Sequence, residues 1–194
     1  MKEQGLEEVV DLKLRPGMGL GELIHAYSGI HGFMAGHLAE AVRLLSSEIP
    51  ESSIRILTFT GNLVSTGLRG VFEQAIREGL FNVVFTTTGT LDHDIARAVG
   101  GTYYKGLFEL DDRELYDRGF HRLGNILIPL DDYGPRVEDF VSKLVERIAS
   151  EGTTRLGIHE ILDIAGSMLP EGSILRAAHD TGTPVFVPGW PDGA

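Results

Sequence analysis

The chain has 194 residues, 42% of them hydrophobic, with a mean hydropathy of +0.02, enough for one sizeable core but not for two full domains. Its 17 basic and 28 acidic residues give a formal net charge of -11, which disfavours nucleic acid and favours cationic small molecules or basic proteins as partners. Without cysteine there is no disulfide framework, thiolate zinc site or thiol nucleophile; without an apolar leader or a membrane-spanning apolar run, the expected address is cytoplasmic and no membrane partner is expected.

Residues 1–50 read as a helical segment and 51–194 as a sheet core, together one α/β domain. Gly17, Gly19 and Gly21 precede a short helix over Glu22–Tyr27. No strand comes before these glycines, so they do not read as a phosphate loop. Met34, Leu38, Ala41, Val42 and Leu45 recur at helical spacing through Glu48, and Pro50 ends the run. His25, His31 and His37 are each six residues apart, a spacing that keeps neighbouring imidazoles off one helical face and argues against a metal site.

The stretch that organises the chain runs from Ile54 to Arg77 as strand, turn and helix. Ile54, Ile56, Leu57 and Phe59 are apolar on both sides of the pleat, which predicts a strand covered on both faces of a mostly parallel sheet. The turn carries Thr60, Gly61, Asn62, Ser65, Thr66 and Gly67. Its glycines permit unusual dihedrals or close backbone approach, and a helix starting there would aim free N–H groups at an anion, most often a phosphate. Simple capping accounts for the same composition. The pattern is neither GxGxxG nor a Walker loop.

Leu68, Val71, Phe72, Ala75 and Ile76 predict the inner face of the following helix, which closes at Gly79. A second strand over Phe81–Thr88 ends in another Thr/Gly turn at Thr86–Thr90. The two turns would share one edge of a parallel sheet, where ligands bind. Asp92, His93 and Asp94 follow. Asp92 reads either as a helix N-cap or, with His93, as a carboxylate and imidazole able to hold a cation or move a proton. Further on, Asp111–Glu114 reads as an acidic turn and Ile126–Pro129 as a strand. Helices are predicted over Val137–Ala149, with Phe140, Leu144, Val145 and Ile148 inward, over Leu156–Ala165, and from Ser173 through Ala178. A last strand spans Pro184–Pro188.

The run Gly29–His37, the Thr60–Gly67 turn, Thr87-Thr88-Gly89 with Asp92, Arg122-Leu123-Gly124-Asn125 before Pro129, and Pro184–Pro188 with Asp192-Gly193 resemble deoxyhypusine synthase in its archaeal form. The resemblance covers nearly the whole chain. It implies a Rossmann-like NAD-binding α/β fold related to that of the sirtuins, a homotetramer, and an NAD-dependent reaction. In that reaction the aminobutyl group of spermidine passes through an enzyme lysine to one lysine of the translation initiation factor five A precursor. By position it implies that Gly61, Asn62, Leu63, Val64 and Ser65, then Thr87, Thr88 and Gly89, and finally Asp192 hold NAD, and that Asp92 and His93 face the substrate. The family has an acidic pair where this chain has Asp92 and His93.

The resemblance also implies that the nucleophilic lysine lies beyond Ala194, because Lys2, Lys13, Lys105 and Lys143 sit in no matching context. The expectation is an N-terminal portion of the synthase, inactive alone. A non-catalytic NAD-binding or regulatory paralogue that pairs with a complete synthase is the alternative. A sirtuin-like NAD-consuming enzyme is a third reading, opposed by the lack of cysteine for a zinc module. A sheet lacking its last strands would expose apolar surface and associate.

Overall fold

A computed structural model describes residues 6–152 and 155–190. The polypeptide divides into two compact units, Met1–Ser53 and Ile54–Ala194.

In the first unit, α1 (Leu20–Ile30) packs against α2 (Ala35–Ser47). Glu22 accepts a hydrogen bond from the Gly19 amide at 3.0 Å, which fixes the start of α1. Helix α1 therefore begins earlier and runs longer than the sequence suggests. Between the helices, His31 and Phe33 take positive φ angles of 54° and 50°. The periodic stripe Met34, Leu38, Val42 and Leu45 exists as read, but its side chains are exposed.

The second unit is built on β1 (Ile56–Phe59), β2 (Val83–Thr86) and β6 (Val185–Phe186), which pair in parallel in the order β1-β2-β6. The sequence indicated an α/β fold with a parallel sheet flanked by helices, and that is what is found. The strands are shorter than read, because pairing covers only part of each apolar run.

The coverage differs too. Leu57, Val84 and Val185 stand in register on one face, while Thr58, Phe85 and Phe186 stand in register on the other. The first face meets the main core, made with residues of α4 (Arg69–Arg77), α5 (Thr88–Ala98), α7 (Gly134–Ser150), α8 (Ile158–Met168) and α9 (Ile174–Thr181). The other face is open, with Ile56 50% and Phe85 39% exposed. The expectation of a strand covered on both faces is thus corrected. Because the strand order advances in one direction, right-handed crossovers put every connecting helix on the same side.

Two helical faces also differ from their predicted patterns. In α4 the inward residues are Phe72, Ala75 and Ile76, with Phe72 stacked on Phe59 at 3.9 Å between ring centroids, while Leu68 and Val71 are exposed. In α7, Phe140 and Leu144 are buried but Val145 is exposed. Periodicity marks an apolar stripe; it does not say how wide a strip the neighbours cover.

A second, antiparallel sheet was not foreseen. It orders β3 (Tyr104–Lys105), β5 (Ile126–Pro129) and β4 (Phe120–Leu123) as β3-β5-β4. The acidic turn proves to be the start of α6 (Asp112–Asp117), whose N-cap Asp111 accepts from the amides of Arg113 and Glu114 at 2.8 and 3.1 Å.

Asp94 of α5 joins three helices. Its carboxylate is 0% exposed and accepts from Arg69 Nε of α4 at 2.7 Å, Ser173 Oγ at 2.8 Å, and the Ile174 and Leu175 amides at 3.0 Å each. Those amides are free donors of the first turn of α9, and Ser173 also accepts from the Arg176 amide as N-cap. Removing the carboxylate leaves a cation and several buried donors without a partner. Asp94→Ala should therefore lower unfolding free energy by about 3–5 kcal/mol, against about 1 kcal/mol for the cap variant Ser173→Ala, as read from urea denaturation of each variant.

Candidate functional site

The edge where β1 and β2 end carries both Thr/Gly turns, as expected, but each turn is itself helical. After Thr60 in extended conformation, Gly61–Leu63 form the short helix α3, which widens into a π-helical turn over Val64–Leu68 and passes into α4. Gly67, at φ 110°, sits inside that turn in a conformation open to glycine. After β2, Thr87 is extended and α5 begins at once at Thr88. Asp92 is therefore in the second turn of α5, and the N-cap is Thr87, which corrects the capping reading of Asp92.

The two helix starts touch. A Cβ added to Gly61 would lie 2.4 Å from the Gly89 carbonyl carbon and 2.6 Å from the Thr90 nitrogen, so glycine is what lets the turns close on one another. The Gly61 amide donates to Thr87 Oγ1 at 3.2 Å, and Thr86 Oγ1 donates to the Phe59 carbonyl at 2.7 Å. These bonds tie the two strand ends together. At Gly89, by contrast, a Cβ would meet nothing nearer than Gly61 Cα at 4.0 Å, so the missing side chain leaves open space over the backbone.

The residues named from the sequence fall into two groups. Asn62 and Thr87 are exposed, and Leu63, Thr88 and Gly89 are half-buried at the edge. Gly61, Val64 and Ser65 are buried. Ser65 Oγ donates to the Asn62 carbonyl at 2.9 Å, and Val64 belongs to the core, so both support the turn from beneath. The side chains of Thr60 and Asn62 are hydrogen bonded to each other. Asp192 lies outside the described residues.

Asp92 and His93 open a polar cluster that sequence reading did not assemble. Asp92 accepts from Tyr133 Oη at 3.3 Å; burial raises its carboxyl above the ordinary value, with the Tyr133 bond acting in the opposite sense. His93 is 5% exposed, and its Nδ1 lies 2.7 Å from Tyr103 Oη. Burial first, and then the Arg97 charge, bring His93 down to about 4, so the imidazole is neutral at physiological pH. Tyr133 is pushed up to about 12, mainly by burial, and Tyr103 is also raised, chiefly by burial. Arg97 stands 5.5 Å over the Tyr103 ring and reaches the Val64 carbonyl at 3.5 Å, linking the cluster to the first turn. Arg97 is one helical turn from His93 and Tyr103 lies just past the end of α5, but Tyr133 is 30 residues further on, and none of them belongs to a motif, so the fold is what brings Tyr133 to the cluster.

The arrangement offers amide donors at two adjoining helix starts and, one turn into α5, a half-buried carboxylate beside a neutral imidazole. Donors of the first kind suit phosphate oxygens, and a carboxylate of the second kind suits a cation.

Comparisons with known proteins agree with this architecture. A protein described as a probable deoxyhypusine synthase from Aeropyrum pernix is 58% identical over 192 residues, which cover 97% of this chain and 61% of that protein. One so described from Sulfurisphaera tokodaii is 45% identical over 197 residues, covering 100% of this chain and 63% of that protein. The chain thus spans about three fifths of the length of these curated relatives. A crystal structure assigned as a deoxyhypusine synthase from Entamoeba histolytica superposes with a TM-score of 0.59 at 16% identity, covering 91% of this chain and 60% of that one; at that identity it speaks to the fold alone. Residues 22–194 match the family model for deoxyhypusine synthase, and with these relatives that match places the chain in the deoxyhypusine synthase family.

Proposed function

We propose that these 194 residues form the NAD-binding portion of a deoxyhypusine synthase, which transfers the aminobutyl group of spermidine to a lysine of the translation initiation factor five A precursor. The observation that carries this reading is the pair of touching helix starts at Gly61 and Gly89, set on the ends of two parallel strands in a chain of this family.

The edge fits a dinucleotide. The first amides of a helix have no acceptor within the helix, so those of Asn62, Thr88 and Gly89 can receive pyrophosphate oxygens. The α5 dipole adds favourable charge. The open space above Gly89 lets the ligand approach the backbone, and Leu63 gives the edge an apolar wall. NAD, when bound, supplies a hydride acceptor for oxidising the amine and a hydride donor for the return step.

Asp92 pairs with an ammonium of spermidine, whose charge favours the ionised carboxylate against the opposing effect of burial. A chain of net charge -11 raises the local concentration of such a polycation. None of Lys2, Lys13, Lys105 and Lys143 is assigned as the enzyme lysine that carries the aminobutyl group, and Asp192 would add to the cofactor contacts. Association of several copies would cover the exposed apolar faces, and a cytoplasmic address suits the protein substrate.

Calorimetry of the chain with NAD, together with its mass in solution, tests this reading. Wild type should bind NAD, and Gly61→Ala should weaken binding at least about tenfold by forcing the two helix starts apart. No binding to a folded oligomer would sink the claim that the edge is preformed. When the rest of the Aeropyrum pernix relative is supplied as a separate fragment, NADH should form only with spermidine present. If NAD binds but no NADH appears, the chain is instead a non-catalytic, NAD-binding partner of a complete synthase.

A further inference from the structure

The imidazole of His93 is held by neutral partners. The Tyr103 and Tyr133 rings lie 5.6 and 5.0 Å from it, and Tyr103 Oη contacts Nδ1. A phenol is the better donor of this pair and an imidazole nitrogen the better acceptor. Tyr103 therefore donates to Nδ1, and the single ring proton resides on Nε2.

Nε2 has no hydrogen-bond partner among the described residues. No fully buried side-chain nitrogen or oxygen among them lacks a partner, and His93 is 5% exposed, so Nε2 is not completely sealed from outside. The other charged or titratable groups around the cluster are Asp92, which Tyr133 engages, Arg97 over Tyr103, Arg69, whose charge reaches Tyr103 while it pairs with Asp94, and His121, 6.4 Å from the Tyr133 ring. None of them takes the Nε2 proton.

We propose that His93 is a neutral donor through Nε2–H, fixed in that tautomer by Tyr103 as a positioning residue, and that it takes a neutral oxygen of the ligand, a hydroxyl or carboxamide oxygen. An ammonium has no lone pair to accept from Nε2–H. His93 thus turns cations away at this point and leaves Asp92 as their one anchor in the pair. This inference rests on the NAD reading of the edge, since the cofactor is rich in such oxygens and spermidine has none.

The tautomer is read directly by long-range proton–nitrogen NMR on the chain labelled with ¹⁵N-histidine. His93 should show Nε2 protonated and Nδ1 bare from about pH 8 to about pH 5.5, a range in which an ordinary histidine titrates. Tyr103→Phe should give a mixture of tautomers and protonation at higher pH, with the amide spectrum reporting that the fold persists. A proton on Nδ1, an imidazolium by about pH 6, or a folded Tyr103→Phe variant with an unchanged ring would overturn the proposal.

Calorimetry gives a second test that does not need the Tyr103 variant to fold. His93→Ala should lose about tenfold in NAD affinity and none for spermidine, while His93→Gln, which keeps a far-end N–H, should restore most of the loss. A loss confined to spermidine would defeat the proposal. Failure of wild type to bind NAD would strike the cofactor reading, while the tautomer result would still decide the role of Tyr103.

Discussion

The second unit depends on one buried carboxylate. Asp94 is fully enclosed, and its two oxygens receive a guanidinium, a hydroxyl and two helix-start amides. Charge-assisted bonds of this kind are short and directional, so they set distances as well as energy. Through Arg69 the carboxylate holds α4, the helix that follows the first turn; through Ser173 and the α9 amides it holds the helix that leads into β6. The α5 start at Gly89 and the α3 start at Gly61 are thus anchored from below by the same residue. A bond made by two hydrophobic side chains could not fix three helices in register in this way.

The touching turns then follow from topology. β1 and β2 are parallel neighbours, so their C-terminal ends lie side by side, and each is followed immediately by helical backbone. With no Cβ at Gly61 the two helix starts come into van der Waals contact, and with none at Gly89 the upper surface stays open. The same topology explains the bare sheet face. Successive right-handed crossovers in one direction stack the crossover helices on one side, and only strands added beyond β1 would bring such helices to the other. Thr58, Phe85 and Phe186 line up there, with the two phenylalanines stacked at 4.9 Å. Parallel sheets are ordinarily covered on both sides, so this face departs from the usual pattern.

Local chemistry made much of this legible in advance. The strand at Ile56–Phe59, the strand at Val83–Thr86, the Ser173 cap and the helices around Leu144 and Leu162 announce themselves through periodicity and capping residues. What failed was whatever depends on neighbours. Ile56 is as apolar as a core residue and yet exposed, because coverage of a strand is decided by elements elsewhere. Val145 and Val71 continue an apolar stripe that no partner reaches. β3, with two residues, is too short to carry alternation, and it exists because β5 pairs with it. At the site, the glycines and threonines were visible as turn chemistry, whereas Tyr103 and Tyr133, which surround His93, carried no signal of their own.

Asp92, His93 and Asp94 show how a cluster in sequence is taken apart in space. Successive residues of an α-helix point about 100° apart, so three neighbours on α5 cannot serve one ligand together. Asp94 turns into the protein and is spent on α4 and α9. His93 turns toward Tyr103 and loses its charge to burial. Asp92, half-buried under Tyr133, is the one carboxylate of the three with surface to offer. A second carboxylate at position 93 would face the same burial, and although the Arg97 charge would favour it, two neighbouring anions would raise one another's pKa. A neutral imidazole avoids that conflict.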